Sequence, residues 1–290
     1  MEIQEIKKEE FQNTIFEPLL EIPDSPKKLN YLGKLFEKKD FKFIAVVGSR
    51  RHSSYAKNAL EKIFKEIAGQ PIVVISGLAL GIDTLAHEKA IENNLKTIAF
   101  PGSGLNPEVL YPKSNFNLAK KILENDGLLV SEFENSAKTM PYFFPQRNRL
   151  MAGMADLVLV VEAQEKSGTL ITARLALDYN KDLAVIPNSI FSEYSAGSNK
   201  LLKEGAIPIF SGEDILEILN LKGEVKQEKL NFGDLSENQK IILKKLTEPK
   251  TKEELLEESG LDVGTFGIEI SILEIKTLIK ESLGKIYRNF

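Results

Sequence analysis

Six short runs of aliphatic and β-branched residues recur between residues 43 and 187: FIAVVG (43–48), IVVISG (72–77), KTIAF (96–100), GLLVSE (127–132), LVLVVEA (157–163) and DLAVIP (182–187). Each is too short for a buried helix. Each is apolar at consecutive positions, as a strand must be when both faces of its sheet are covered. Helical periodicity falls between the runs, over 54–68, 82–94, 114–125, 146–154 and 169–180. A seventh run, AIPIF (206–210), and a helix over 212–220 close the series. Strand and helix in alternation, joined by right-handed crossovers, predict an α/β fold: an extended Rossmann-like, doubly wound, mostly parallel sheet over 42–220.

The flanks read differently. Residues 1–41 are a mixed lead-in that packs on the main domain. LKGEVKQEKLNFGD (221–234) is polar and aperiodic, a linker. Residues 235–290 carry three short amphipathic helices and then a strand pair turning at Gly284, the element order of a winged helix. Thr251 and Glu254 form a capping box at the second of these helices. The absence of Cys excludes disulfides and thiolate metal sites, and two His, His52 and His87, are too few for a His-rich zinc centre. The start MEIQEIKKEE has no apolar core and is not a secretory signal, and no apolar run is long enough to span a membrane, so a cytoplasmic protein is expected. The net charge of −4 means that any polyanion must meet a local basic patch.

Ligands of doubly wound sheets bind outside the carboxyl ends of the strands. Here those ends carry Gly/Ser turns and arginines. Gly48, Ser49 and Arg50 follow the first run; the glycine admits an anion close to the backbone, and the serine and arginine donate to it. Gly102, Ser103 and Gly104 form a second candidate anion nest, with Lys113 at the next helix start. FPQRNR supplies Phe144, Arg147, Asn148 and Arg149; the two arginines, two residues apart, point in different directions on a helix, one to a ligand and one to an internal ion pair. Ser167, Gly168 and Thr169 open a helix whose positive dipole end faces the same rim. Asp83 and His87 read as a structural pair, and Glu162 as a structural carboxylate. Paired carboxylates, a metal cluster and a nucleophile–base pair are missing, and G-x-G-x-x-G does not follow the first run, which argues against NAD. No cofactor is expected.

GSR, SGLALGIDTLAH, PGSGLNPEVLYP, SEF, FPQRNRLMAGMAD, EAQEKSGTLITARLAL and SAGSNKLLKEGA occur in this order. Over about residues 42–212 the chain thereby resembles the DNA processing protein A (DprA/Smf) family. The C-terminal segment resembles that family's winged-helix-like tail less specifically. The resemblance implies a non-enzymatic single-stranded DNA-binding protein of natural transformation (competence) and recombination, which protects the strand, helps load the RecA recombinase and forms a homodimer. By motif position the strand would be held by Gly48, Ser49, Arg50, Gly102, Ser103, Gly104, Lys113, Phe144, Arg147, Asn148, Arg149, Ser167, Gly168 and Thr169. Leu177 and Leu202 would lie at the dimer contact.

Three departures stand out. A basic residue often precedes FP in the family, whereas this chain reads MPYFFP, leaving Lys138 as a substitute. The usual PG after the sixth run is Pro187-Asn188, whose asparagine tolerates a left-handed turn. The helical domain that many members carry in front is short or absent. The alternative reading is a nucleotide-processing hydrolase of the lysine-decarboxylase-like phosphoribohydrolase type, which shares a GSR-like turn. SGTLITARLAL, however, has Ala173 and Arg174 where that group's glutamate is sought. A third reading is a nucleotide-sensing scaffold.

Overall fold

In the computed structural model the described residues are 2–221, 235–276, 278–282 and 284–288. The chain divides into two compact units, Met1–Val225 and Lys226–Phe290. All but residue 221 of the expected linker lies outside the described residues.

The first unit is built on one nine-stranded sheet in the order β1-β2-β6-β5-β4-β3-β7-β8-β9. Its strands are β1 (Gln4–Lys7), β2 (Lys28–Leu32), β3 (Lys42–Val47), β4 (Ile72–Ser76), β5 (Lys96–Ala99), β6 (Leu128–Ser131), β7 (Leu157–Val160), β8 (Asp182–Val185) and β9 (Ile207–Pro208). From β6 to β9 all neighbours are parallel, whereas β1–β2 and β2–β6 are antiparallel. The order runs outward from β3 in both directions, so β3 and β7 flank the point at which the winding reverses.

Alternation along β3 shows why both faces need cover. Phe43, Ala45 and Val47 enter one apolar core; Ile44 and Val46 enter the other. The second core is closed by α1 (Ser54–Glu66), α2 (Ile82–Glu92) and α7 (Gly212–Ile218). The first is closed by α4 (Phe143–Met154), α5 (Thr169–Asp178) and the N-terminal segment. The remaining helices of this unit are α3 (Phe116–Glu124) and α6 (Ala196–Lys203).

Two features differ from the sequence reading. The N-terminal segment adds two strands to the sheet and is not only a cover: Tyr31 of β2 pairs with Val130 of β6, and Phe11, Ile15, Phe16 and Leu19 are fully buried. These strands are short and mixed with polar residues, and the prolines Pro18, Pro23 and Pro26 lie between them, so the segment lacks the continuous apolar runs that reveal the central strands. Helix α6 is missing from the helices that periodicity predicts, although the resemblance puts Leu202 at a helix position; Ala-Gly-Ser-Asn opens it, and three of those residues are weak helix formers.

The second unit packs α8 (Glu237–Lys245), α9 (Lys252–Ser259) and α10 (Val263–Ile275) around one apolar cluster with the hairpin β10 (Ile279–Ser282) and β11 (Lys285–Arg288). Lys250 adds an antiparallel bridge to Ile286. Ser236, Thr251 and Asp262 cap the three helices, each side chain accepting a backbone N–H of the first turn.

Candidate nucleic-acid interface

A cleft of about 570 Å³ opens at the carboxyl ends of β3 and β7. Its lining unites nine expected residues: Gly48, Ser49, Arg50, Phe144, Arg147, Asn148, Ser167, Gly168 and Thr169. This is the crevice that the reversal in strand order creates.

Local bonding decides which groups still face a ligand. The Ser49 N–H is engaged by the Glu162 carbonyl at 2.8 Å, and its hydroxyl accepts the Arg51 N–H at 3.1 Å. The hydroxyl proton of Ser49 is left to donate. Gly48 serves packing as much as anion approach: a Cβ there would meet Ile82 at 2.5 Å. At the start of α5, Ser167 Oγ accepts the Thr169 N–H at 3.2 Å and donates to Thr169 Oγ1 at 3.0 Å. The exposed Arg50 guanidinium lies 4.8 Å from the centroid of the half-buried Phe144 ring. Charge for a phosphate and an aromatic face for a base thus sit side by side. Phe144 in turn rests on Gly102, where a Cβ would approach the ring to 2.7 Å. The preceding residue, Phe143, is the one that enters the interior, stacked on Phe133 at 3.7 Å between centroids.

The two arginines of α4 diverge. Arg149 is bound to Glu132 at 2.7 Å and to Asp24 at 2.9 Å, an ion-pair cluster turned away from the cleft. Arg147 forms the cleft floor. Its Nη1 donates to the carbonyls of Gly77 and Phe100, and its Nε donates to Asn148 at 3.1 Å. Asp83 converges on the same spot, since a Cβ on Gly77 would strike both Arg147 and Asp83. Burial draws the Arg147 guanidinium down to about 10, with Arg50 acting in the same direction and Asp83 opposing, so it stays charged at neutral pH. Burial pushes the Asp83 carboxyl up, against the pull of Arg147 and the N–H groups of Ala79 and Gly77.

Several expectations need correction. Asp83 and His87 are not a pair: Asp83 accepts the Gly77 and Ala79 N–H groups, and His87 Nδ1 bonds Thr97 Oγ1 at 2.7 Å. Ser103 is fully buried, its Oγ holding Gly104 and Tyr111, so the 102–104 turn is an internal support for Phe144 and not an open nest. Lys113 lies outside the cleft, beside Glu108 and Phe116. Asn188 does not adopt a left-handed turn; its amide donates to Glu162 at 2.8 Å and its Oδ1 accepts the Ser189 N–H. Leu177 is 61% exposed, but Leu202 is half-buried against the main core.

Sequence reasoning missed Arg51, Gln164, Glu193 and Tyr194, which also line the cleft. Glu193 and Tyr194 precede α6, the helix that periodicity does not reveal. It also missed how Glu162 works: fully buried, it accepts Ser53 N–H at 2.9 Å, Ser53 hydroxyl at 2.5 Å and the Asn188 amide, tying α1 and the loop after β8 to the end of β7.

Residues 5–220 match the family model for DNA recombination-mediator protein A. The chain belongs to that family. It is 42% identical over 198 residues to DNA processing protein DprA of Streptococcus pneumoniae, a match covering 68% of each chain. It is 40% identical over 201 residues to protein Smf of Escherichia coli, covering 69% of this chain and 53% of that one, so the likeness spans only about half of some relatives. A solved structure describing the single-stranded DNA binding mode of DNA processing protein A from Helicobacter pylori superposes with a TM-score of 0.64 at 30% identity, over 76% of this chain and 96% of the other. The Rossmann-like architecture is therefore that of this family. Among the described residues no helix is long and apolar enough to cross a membrane.

Proposed function

We propose that this protein is a recombination mediator that holds single-stranded DNA in the cleft between the ends of β3 and β7 and presents it to a RecA-type recombinase. The observation that carries the reading is the Arg50–Phe144 pair across from the α5 N-terminus at Ser167–Thr169. An arginine fork and helix dipole suit a phosphate, and the ring beside them suits an unpaired base. The Helicobacter pylori relative, a single-strand binder by its description, supports it. Of the expected contacts, Arg50, Ser49, Phe144, Arg147 and Ser167–Thr169 are retained for the strand, with Lys113 on an outer part of the track. Gly102, Ser103, Gly104 and Arg149 act as supports.

The action is non-covalent. The buried carboxylates nearest the cleft, Asp83 and Glu162, are engaged by backbone and side-chain donors, and α5 offers Ala173 and Arg174 where a phosphoribohydrolase would need its glutamate. The protein acts as a homodimer, for which the exposed Leu177 is the better contact and Leu202 the poorer. The C-terminal unit is of winged-helix type and meets protein in preference to duplex DNA. Lys plus Arg number 9 and Asp plus Glu 10 over 235–290, a net of −1, and α10 exposes Val263, Ile268 and Ile275.

The test is Arg50→Ala. Affinity for single-stranded oligonucleotides should drop alike for every sequence, and the log–log salt slope should fall by about 1, for one lost phosphate contact. Wild-type affinity in this variant would remove Arg50 from the interface and the reading with it.

A further inference from the structure

Among the described residues, the two most exposed large apolar side chains are neighbours: Ile190 at 84% and Phe191 at 90%. They form the tip of the chain between β8 and α6. The tip is not loose. Asn199 holds the Asn188 carbonyl at 3.1 Å, the Phe191 N–H is held by Ser189 Oγ at 3.2 Å, and Ser195 Oγ lies 2.8 Å from the Ser189 carbonyl and 2.9 Å from that of Ser192. Asn188 ties the base of the loop to Glu162, and the Tyr55 hydroxyl donates to the Pro187 carbonyl at 2.7 Å. A bonded loop therefore keeps a phenyl ring in water, where burial would be favourable. That is the condition of a surface built for a partner.

Position identifies the partner. Glu193 and Tyr194 of this loop line the cleft. Phe191 precedes Glu193 by two residues, so their Cα atoms lie within about 7.6 Å. Phe144, the ring at the other side, rests on Gly102 after β5. β5 and β8 are four strand spacings apart in the sheet, about 19 Å. Arg50 and the α5 N-terminus lie between. The apolar tip is two side chains long and is bounded in sequence by Ser189, Ser192 and Glu193. That is far smaller than a protein interface of about 800 Å² per partner. It is the size of one aromatic face.

We propose that the 188–195 loop is a second base platform, on which Phe191 stacks on an unpaired base of the strand whose phosphates cross the cleft. This rests on the single-strand reading above. Phe144 takes a base on the β5 side, and Phe191 takes another on the β8 side.

The sequence contains no tryptophan, so Phe191→Trp introduces a lone indole at a solvent-exposed position. A single-stranded oligonucleotide should quench its fluorescence, and an abasic deoxyribose-phosphate chain of equal length should not. Phe191→Ala should bind a dye-labelled oligonucleotide about tenfold more weakly, with the salt slope unchanged because no phosphate contact is lost. An indole that stays bright while Arg50-dependent binding is seen by anisotropy would overturn the platform alone. So would wild-type DNA affinity in Phe191→Ala, including the case in which that variant changes self-association instead. A wild-type protein that binds no oligonucleotide at all would overturn the single-strand reading as well.

Discussion

Arg147 and Asp83 show how single residues fix the cleft floor. Both are buried, and the shared space exists only because residue 77 lacks a side chain. The two make no direct ion pair, but each feels the other's charge. Removing the Arg147 guanidinium takes a nearby cation from the buried Asp83 carboxylate and leaves the Gly77 and Phe100 carbonyls without their donor. Arg147→Met should therefore lower the unfolding free energy by about 3–5 kcal/mol, and Asp83→Asn in the same chain should recover part of it. Urea titration of the single and double variants checks this; additive losses would mean that the two groups do not interact. His87 provides a pH signature. Thr97 donates its hydroxyl proton to the Val74 carbonyl, so it must accept from His87 Nδ1, and Nε2 is buried without a hydrogen-bond partner. Burial, aided by the Arg147 charge, draws the ring down to about 3 from 6.5. Between those values the unfolded chain binds the proton and the native chain does not, so stability is whole above pH 6.5 and declines toward pH 3. Asp83, shifted upward, has the opposite sign over the carboxylate range. Comparison with His87→Gln isolates the histidine: from pH 7 to 5 the wild type should lose about 2 kcal/mol more than the variant. Equal losses would show that His87 is already accessible to protons.

At the level of elements, the parallel core was legible because strands covered on both faces are continuously apolar, and β3 through β8 all carry that mark. The rim was legible for a related reason. Gly48-Ser49-Arg50, Phe144, Arg147 and Ser167–Thr169 each sit at the end of a recognisable strand or the start of a recognisable helix, and the strand order brings them together. What sequence could not show is which polar groups the fold consumes. Ser103 and Arg149 look as available as Ser49 and Arg50, and only the packing of β6 and the N-terminal segment turns them inward. β1 and β2 left no clear pattern, being a short antiparallel pair at one edge. They are nonetheless part of the core. Deleting residues 2–33 would expose the edge of β6, remove Phe11, Phe16 and Leu19, and leave Arg149 without Asp24. The truncated chain should be insoluble or lose cooperative unfolding; a folded product with a wild-type denaturation midpoint would make the segment dispensable.

For the molecule as a whole, charge and function pull in opposite directions. A net charge of −4 repels DNA at long range, so the proposed interface relies on the short-range cluster of Arg50, Arg51, Arg147 and the α5 dipole that lines the cleft. Affinity should then depend steeply on salt and little on sequence. The C-terminal unit, net −1 with an apolar exposed side on α10, adds no electrostatic attraction for duplex. The measurement that tests this account most directly is fluorescence anisotropy of a labelled single-stranded oligonucleotide at two salt concentrations, with unlabelled duplex as competitor. The account predicts tight binding that weakens sharply with salt and that duplex displaces poorly. No binding even at low salt, or equal displacement by duplex, would contradict it.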